Sequence, residues 1–388
     1  MTNTVTYFDH AATTPADPQV VQAMTPYFSA RFGNPSSTHR LGLEAHRALD
    51  EARRTLAQAV GCRPTGVFFT AGGTEADVIA IRGAVGVGKR ERHLVVTAIE
   101  HNAVLTTANS LGKIGHKLSI VPADRDGLID VDAFLDAVEP ETAFASVMAV
   151  NNELGTIQPV GEIARRVKEK APKCIVHVDA VQAFGRLPVG FTNWPDVDCI
   201  AISAHKIYGP KGTGALFLRD PGHLDAILTG GGQEGGLRSG TQNVAGAVAL
   251  SEAYKLSYQR RAMDRAHYQE LNERLLELLD KKIPDVVING PRDEGRVPYT
   301  INVRFPGVPA EPLLNGLEGD GFLVSSGSAC HSHSGSLSHV LAAIGLKDSD
   351  GGSIRISFGR SNQLDDVDRF VDTLCTLIPR LKTVALGA

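Results

Sequence analysis

The chain has 388 residues, 43% of them hydrophobic and 21% charged, the proportions of a folded protein with room for two or three domains and not those of a disordered chain. Its 39 basic and 43 acidic side chains give a net charge of −4, which excludes nucleic-acid recognition through a broad basic surface. No apolar run approaches the ~18 residues of a membrane helix, and five cysteines without a C-x-x-C pair exclude a disulfide framework or a four-cysteine zinc site.

Met1 to His10 lack a basic segment followed by an apolar one, so a reducing, cytoplasmic setting without a membrane partner is expected. From the N-terminus, Ala45, Leu49, Ala52, Leu56 and Ala59 recur at helical spacing within Leu41 to Val60, and Gly61 follows as a stop. Val67 to Thr70 reads as a short buried strand, and a helical run begins at Glu75. Further strands are predicted at His93–Ala98, Lys117–Val121, Ala143–Val150, Cys174–Asp179, Asp198–Ser203 and Gly214–Leu218, with helices between several of them, such as Val160–Lys170. Continuous apolar strands alternating with helices predict an α/β fold whose mainly parallel seven-stranded sheet is covered on both faces. Past about Gly240 a long helix carries Leu271, Leu275, Leu276 and Leu279 on one face. Strands near Tyr299–Arg304, Phe322–Val324 and Ser353–Phe358 follow, which predicts a smaller α+β domain. The expected division is a large domain of residues 15–255 and a small one of residues 1–14 and 256–388.

Ligands of open α/β sheets sit beyond the carboxyl ends of strands, and the unusual polar residues fall there. Gly72-Gly73-Thr74 precedes a helix and can offer backbone N–H groups to a phosphate, or can be an ordinary turn with Thr74 as N-cap. Asp179 closes one strand, suited either to holding a ring nitrogen protonated or to capping the next turn. Lys206 follows another strand, before the Gly-rich stretch from Gly209 to Gly214. Its amine can form a Schiff base if neighbours lower its pKa, whereas Lys211, set between turn residues, suits a solvated role. A lysine for an aldehyde and an acid for a pyridine nitrogen are the pair that pyridoxal 5'-phosphate (PLP) requires.

Ten segments in order along the chain, DHAATT (Asp9–Thr14), FGNPSSTH (Phe32–His39), AGGTEAD (Ala71–Asp77), EHNAV (Glu100–Val104), VNNELG (Val150–Gly155), HVDAVQ (His177–Gln182), SAHKIYGPKGTG (Ser203–Gly214), GGGQEGGLRSGT (Gly230–Thr241), SSGSAC (Ser325–Cys330) and IRISFGR (Ile354–Arg360), resemble the cysteine desulfurases of the NifS/IscS type, fold-type I PLP enzymes of the class V aminotransferase group. The resemblance implies Lys206 as the Schiff-base lysine, Asp179 on the pyridinium nitrogen, Gln182 on the ring hydroxyl and His101 stacked on the ring and shuttling protons. It implies a phosphate cup of Gly73, Thr74, Ser203 and His205, completed by Thr241 of a second subunit in a homodimer with shared active sites. Arg355 is then the fork for the substrate carboxylate, with Asn152 near both cofactor and substrate and Asn34 also at the substrate. Arg238 is either structural or an aid to the phosphate.

Cys62, Cys174, Cys199 and Cys375 lie beside apolar or helical residues and suit small buried hydrophobes. Cys330 lies in a run of Ser, Gly and His, a setting suited to a nucleophile that attacks in one place and delivers cargo in another. The resemblance therefore implies conversion of L-cysteine to L-alanine, with a persulfide on Cys330 passed to a sulfur-acceptor protein of iron–sulfur cluster assembly or a thiolation relay. The alternative is a selenocysteine lyase or another class V PLP enzyme acting on small amino acids. Two departures from the family pattern stand out: His10 replaces a common Asn, and Gly335-Ser336-Leu337-Ser338-His339-Val340-Leu341 lacks the usual proline. His331 and His333 beside Cys330 raise the idea of a metal, but three neighbouring residues rarely close a tetrahedral site, and none is expected.

Overall fold

The computed structural model describes residues 5–86, 90–327 and 337–385. Its strands, in chain order, are β1 (Thr6–Tyr7), β2 (Val67–Thr70), β3 (His93–Thr97), β4 (Lys117–Val121), β5 (Thr142–Ser146), β6 (Ile175–Asp179), β7 (Cys199–Ser203), β8 (Gly214–Leu218), β9 (Val287–Asn289), β10 (Thr300–Phe305), β11 (Phe322–Leu323) and β12 (Gly352–Ser357). The seven-stranded sheet has the order β2-β8-β7-β6-β5-β3-β4. Only β8 runs against its neighbours; the other pairings in the sheet are parallel. All seven expected strands form. Most are buried along their whole length, as apolar runs sandwiched between helices must be.

Two expectations shift for identifiable reasons. The apolar run Ala143–Val150 leaves the sheet ladder after Ser146. Val147 and Ala149 still donate to the His177 and Asp179 carbonyls, and Val150 then bridges Ile157. The run is apolar because it is buried, yet its second half turns out of the sheet and delivers Asn152. The helix expected from Glu75 spans Gly73–Val85 with Gly72 as its N-cap and no side-chain cap, so Thr74 lies inside the first turn.

A three-stranded antiparallel sheet, β12-β10-β9, and the parallel pair β1-β11 make up the rest. The short strands β1 and β9 carry too few residues for a periodic signal. The helix Val244–Lys282 packs against Arg40–Val60 and Leu364–Ala385. It buries Leu271, Leu275, Leu278 and Leu279, while Leu276 is only partly buried. Phe8 is fixed by Phe358 and Phe370 at ring distances of 5.6 and 5.5 Å, edge-on arrangements that aromatic pairs favour. This pins the N-terminal strand beside the small sheet and sends Asp9–Thr14 toward the carboxyl edge of the large one.

His10, where the family pattern commonly has Asn, is buried with its ring edge-on to Tyr7 at 4.8 Å. A Cβ on Gly359 would fall within that ring. Gly359→Ala is therefore expected to overpack the site and destabilise the protein by about 1–3 kcal/mol. His10→Asn in the same background should recover much of the loss, as read by chemical denaturation of the four proteins of the double-mutant cycle.

Candidate active site

The carboxyl ends of β2, β6 and β7 and the turns after β3 and β5 converge on a cavity of about 250 Å³. It is lined by Gly73, Thr74, His101, Asn152, Asp179, Gln182, Ser203, His205, Lys206 and Arg355 among others, so ten of the expected site residues meet in one place. Lys206 lies in a short 3-10 turn directly after β7. Its Nζ donates to the carbonyls of Ala11 (2.6 Å) and Ala12 (2.7 Å). Burial and then the Arg355 guanidinium push its pKa down to about 7, because a charged amine is costly away from water and beside another cation. Lys211 is exposed and does not line the cavity.

Asp179 ends β6 and accepts from the Val181 N–H at 2.9 Å, so it caps the turn as well as facing the cavity. Burial pushes its carboxyl up to about 6, opposed by that hydrogen bond and by Lys206. His101 caps the helix Asn102–Lys113 through Nδ1, which accepts from the Ala103 N–H. Burial, then Lys206 and His339, pull His101 down to about 4, so its ring is neutral at physiological pH. Burial likewise holds His205 near 4.

At the other side of the cavity the helix Gly73–Val85 presents an uncapped N-terminus. A Cβ on Gly73 would stand 2.7 Å from Val181 Cγ2, so only glycine lets the backbone come this close to the neighbouring turn. Unpaired N–H groups and the helix dipole favour an anion there, with Thr74, Ser203 and His205 on the rim. Among the described residues, three buried side chains in the lining keep an oxygen without a hydrogen-bond partner, Gln182 Oε1, Asn152 Oδ1 and Asp77 Oδ1. The donor set fits PLP. The helix terminus suits its phosphate, Asp179 its ring nitrogen, Gln182 a ring hydroxyl, and Lys206 its aldehyde.

Arg355, on β12, is 1% exposed. Nη2 donates to Asp9 Oδ1 at 2.6 Å and Nη1 to the Asn152 carbonyl at 2.9 Å, and each of these nitrogens retains a second N–H for a carboxylate. Asp9 is a site residue that residue-by-residue reading missed. Its signal lay in the DHAATT segment, most of which serves the cavity or its supports. Ala11 and Ala12 accept from Lys206, Thr13 Oγ1 meets His205 Nδ1 at 3.1 Å, and Thr14 Oγ1 takes the Tyr208 N–H. That last bond helps hold Tyr208 at φ 65°, a left-handed conformation costly for a bulky side chain.

Three expected residues stand elsewhere. Asn34 is exposed and its Oδ1 accepts from the Ser36 N–H. Thr241 is exposed and does not line its own chain's cavity. Arg238 pairs with Glu75 at 3.1 Å, a structural contact. Glu234, in the same Gly-rich segment, is buried. It accepts from Arg53 Nη2 (2.7 Å) and from the Phe69 N–H (2.8 Å), which ties the segment to β2. Cys330, with His331 and His333, lies outside the described residues.

The chain matches the family described as Aminotransferase class-V over residues 6–370. It is 39% identical over 381 residues to the cysteine desulfurase IscS of Dictyoglomus turgidum, covering 98% of this chain and 96% of that protein. Among solved structures it resembles a NifS-like protein with a TM-score of 0.90 at 36% identity, covering 97% of this chain and 100% of the other. It also resembles SspA in complex with cysteine, with a TM-score of 0.79 at 33% identity, covering 91% and 98%. Full-length agreement in sequence and fold, around a lysine, an acid and an open helix terminus in one cavity, places this chain in the class V aminotransferase family, among the cysteine desulfurases.

Proposed function

We propose that the protein is a PLP-dependent cysteine desulfurase that converts L-cysteine to L-alanine and leaves the sulfur as a persulfide on Cys330. The observation that carries this reading is Lys206 in the same cavity as Asp179 and Arg355, in a chain of the desulfurase family. When bound, PLP supplies an aldehyde for the substrate amine and a protonated ring that stores the electron pair released at the substrate Cα.

The chain's own residues do the rest. Arg355 takes the substrate carboxylate, held in place by Asp9 and the Asn152 carbonyl; a rigid guanidinium fork fixes orientation as well as charge. Lys206 Nζ takes the Cα proton, a task its lowered pKa suits. Asp179 keeps its negative charge beside the ring nitrogen, and neutral His101 handles thiol protons. In the sulfur step the substrate Cβ–S bond breaks and an S–S bond forms on Cys330. The proton of the Cys330 thiol ends on Cβ, so L-cysteine and one thiol become L-alanine and one persulfide with no outside oxidant. An unperturbed thiol has a pKa of about 8.5, so Cys330 needs a base, and His101 is the candidate.

The acceptor is a sulfur-carrier protein, an iron–sulfur scaffold or a thiolation relay. The active form is a homodimer in which Thr241 reaches the partner's phosphate cup. Its exposed position, away from its own chain's cavity, supports that reading.

Two outcomes are expected. With L-cysteine and a thiol reductant, the wild type should release L-alanine and sulfide in equal amounts. Cys330→Ala should lose both products and keep bound PLP, and equal turnover by the variant would overturn the persulfide step. PLP incorporation into the apoprotein should accelerate as pH rises through about 7 and then level off, because the neutral Lys206 amine is the reactive form. A rate still climbing steeply above about pH 9 would place Lys206 at an ordinary lysine value.

A further inference from the structure

Behind Asp179 lies a second layer of ionisable groups that the proposed mechanism does not use. Asp77, on the inward face of the helix Gly73–Val85, is 1% exposed, and His177, two residues before Asp179 on β6, is 0% exposed. His177 Nε2 stands 3.3 Å from Asp77 Oδ1. This is a close approach rather than a hydrogen bond, and neither atom has a hydrogen-bond partner among the described residues. On the far side of the ring, His177 Nδ1 meets Ser146 Oγ of β5 at 2.9 Å. Ser146, His177 and Asp77 thus stand in a row from inside the sheet to the cavity wall, where Asp77 is a lining residue. Asp77, His101 and Asp179 each offer a side-chain atom within 4.8 Å of the others.

Glu100, fully buried, is a third carboxyl in this region and accepts from Thr97 Oγ1 at 3.2 Å. The charged and titratable groups around Asp77 are therefore Asp179 and His177 on β6, Glu100 and His101 after β3, Cys199 on β7, and Lys206 across the cavity. Three carboxylates with so little water cannot all be charged, since each desolvated charge raises the cost of the next. Lys206, the lysine among the lining residues, is hydrogen-bonded to carbonyls on the other side, and His177 lacks the hydration that a cationic ring needs.

We propose that Asp77 is a positioning residue that holds a proton throughout the working pH range, so that a single negative charge, on Asp179, faces the cofactor's ring nitrogen. The inference rests on the reading of the cavity as a PLP site. Burial, with Asp179 and Glu100 as neighbours, pushes Asp77 well above the usual carboxylate range, and Glu100 rises to about 8. Burial also takes His177 down to about 3, so the pair is neutral as a unit. A neutral carboxyl within 4.8 Å of Asp179 packs beside it without adding a second charge that would bind the ring proton too tightly. The ring nitrogen then remains tuned by one acid.

The test compares Asp77→Asn, Asp77→Ala and Asp179→Asn with the wild type, after circular dichroism has shown that each is folded. Asparagine keeps the shape and the neutral state of a protonated Asp77. Asp77→Asn should therefore hold PLP within about threefold of wild type, and the pH midpoint of the bound cofactor's absorbance should move by less than about 0.3 unit. Asp77→Ala should weaken PLP about tenfold or more and shift that midpoint, and Asp179→Asn should do both more strongly. In the PLP-free protein, infrared difference spectra of wild type minus Asp77→Asn at neutral pH should show the carbonyl band of a protonated carboxyl, a readout independent of the cofactor. A carboxylate band in its place, or a midpoint shift of about a unit or more in Asp77→Asn, would show that Asp77 is charged and overturn the proposal. Asp77→Ala indistinguishable from wild type in both cofactor measurements would remove its positioning role. A wild-type protein that does not bind PLP at all would instead fail the cofactor reading, while leaving the infrared result to judge Asp77.

Discussion

Lys206 sits at the cavity wall, largely withdrawn from solvent, with a guanidinium nearby and backbone carbonyls as the hydrogen-bond partners of its amine. Desolvation of this kind costs several kcal/mol for a charged group, and the group responds by giving up its proton. The rest of the cavity can be understood from that constraint. A neutral amine is the form that reacts with a carbonyl and can accept a proton from carbon. The same shortage of water raises Asp179, neutralises His101 and His205, and leaves the buried acids behind Asp179 competing for protons. One physical condition thus acts on several protonation states at once: it selects the neutral forms of Lys206 and His101 that the proposed chemistry uses, while at Asp179 it is opposed by the Val181 N–H and Lys206.

Holding that condition requires the cavity to be closed by distant parts of the chain. The parallel sheet supplies strand ends and helix starts at one edge, where ligands of such sheets gather. The N-terminal segment then closes over Lys206 because Phe8 is wedged among Phe358 and Phe370. β12 brings Arg355 to the same place, and Asp9 meets it there. The ion pair of Asp9 and Arg355 does double duty. It compensates a guanidinium that would otherwise be a costly buried charge, and it fixes the plane of that guanidinium, as the proposed binding of a substrate carboxylate requires. A buried Glu234–Arg53 pair fastens the Gly-rich segment to β2 in a similar way, so the segment bearing Thr241 leaves the surface from a fixed point.

His10 shows how a departure from a family pattern is absorbed. A larger ring occupies the place of a common Asn, and the space comes from Gly359, which has no side chain to conflict with it. The substitution lies one residue from Asp9 and from Ala11, yet the contacts of both neighbours with Arg355 and Lys206 are intact. Local packing and site geometry are therefore separable at this position.

Apolar runs of the right length, punctuated by glycines and turn residues, announced the seven strands, because burial on both faces leaves a continuous local signal. Lys206 and Asp179 were legible for the same reason, as polar residues at the ends of apolar strands. Arg355 was legible only through the motif around it, since a lone arginine in a strand looks like a surface residue. The exit of Val147–Val150 from the ladder, the start of the helix at Gly73 and the strands β1 and β9 left no such trace. They depend on which backbone groups find partners across the fold. The sequence by itself determined the family, the order of the elements and the residue types available to the chemistry. Only the tertiary structure decided that Asp9 meets Arg355, that Ala11 and Ala12 face Lys206, and that Asp77 and His177 stand behind Asp179. The pairs Asp77–His177, Ala11–Lys206 and Asp9–Arg355 join residues from 100 to 346 positions apart, and only the tertiary packing brings them together and sets their charge.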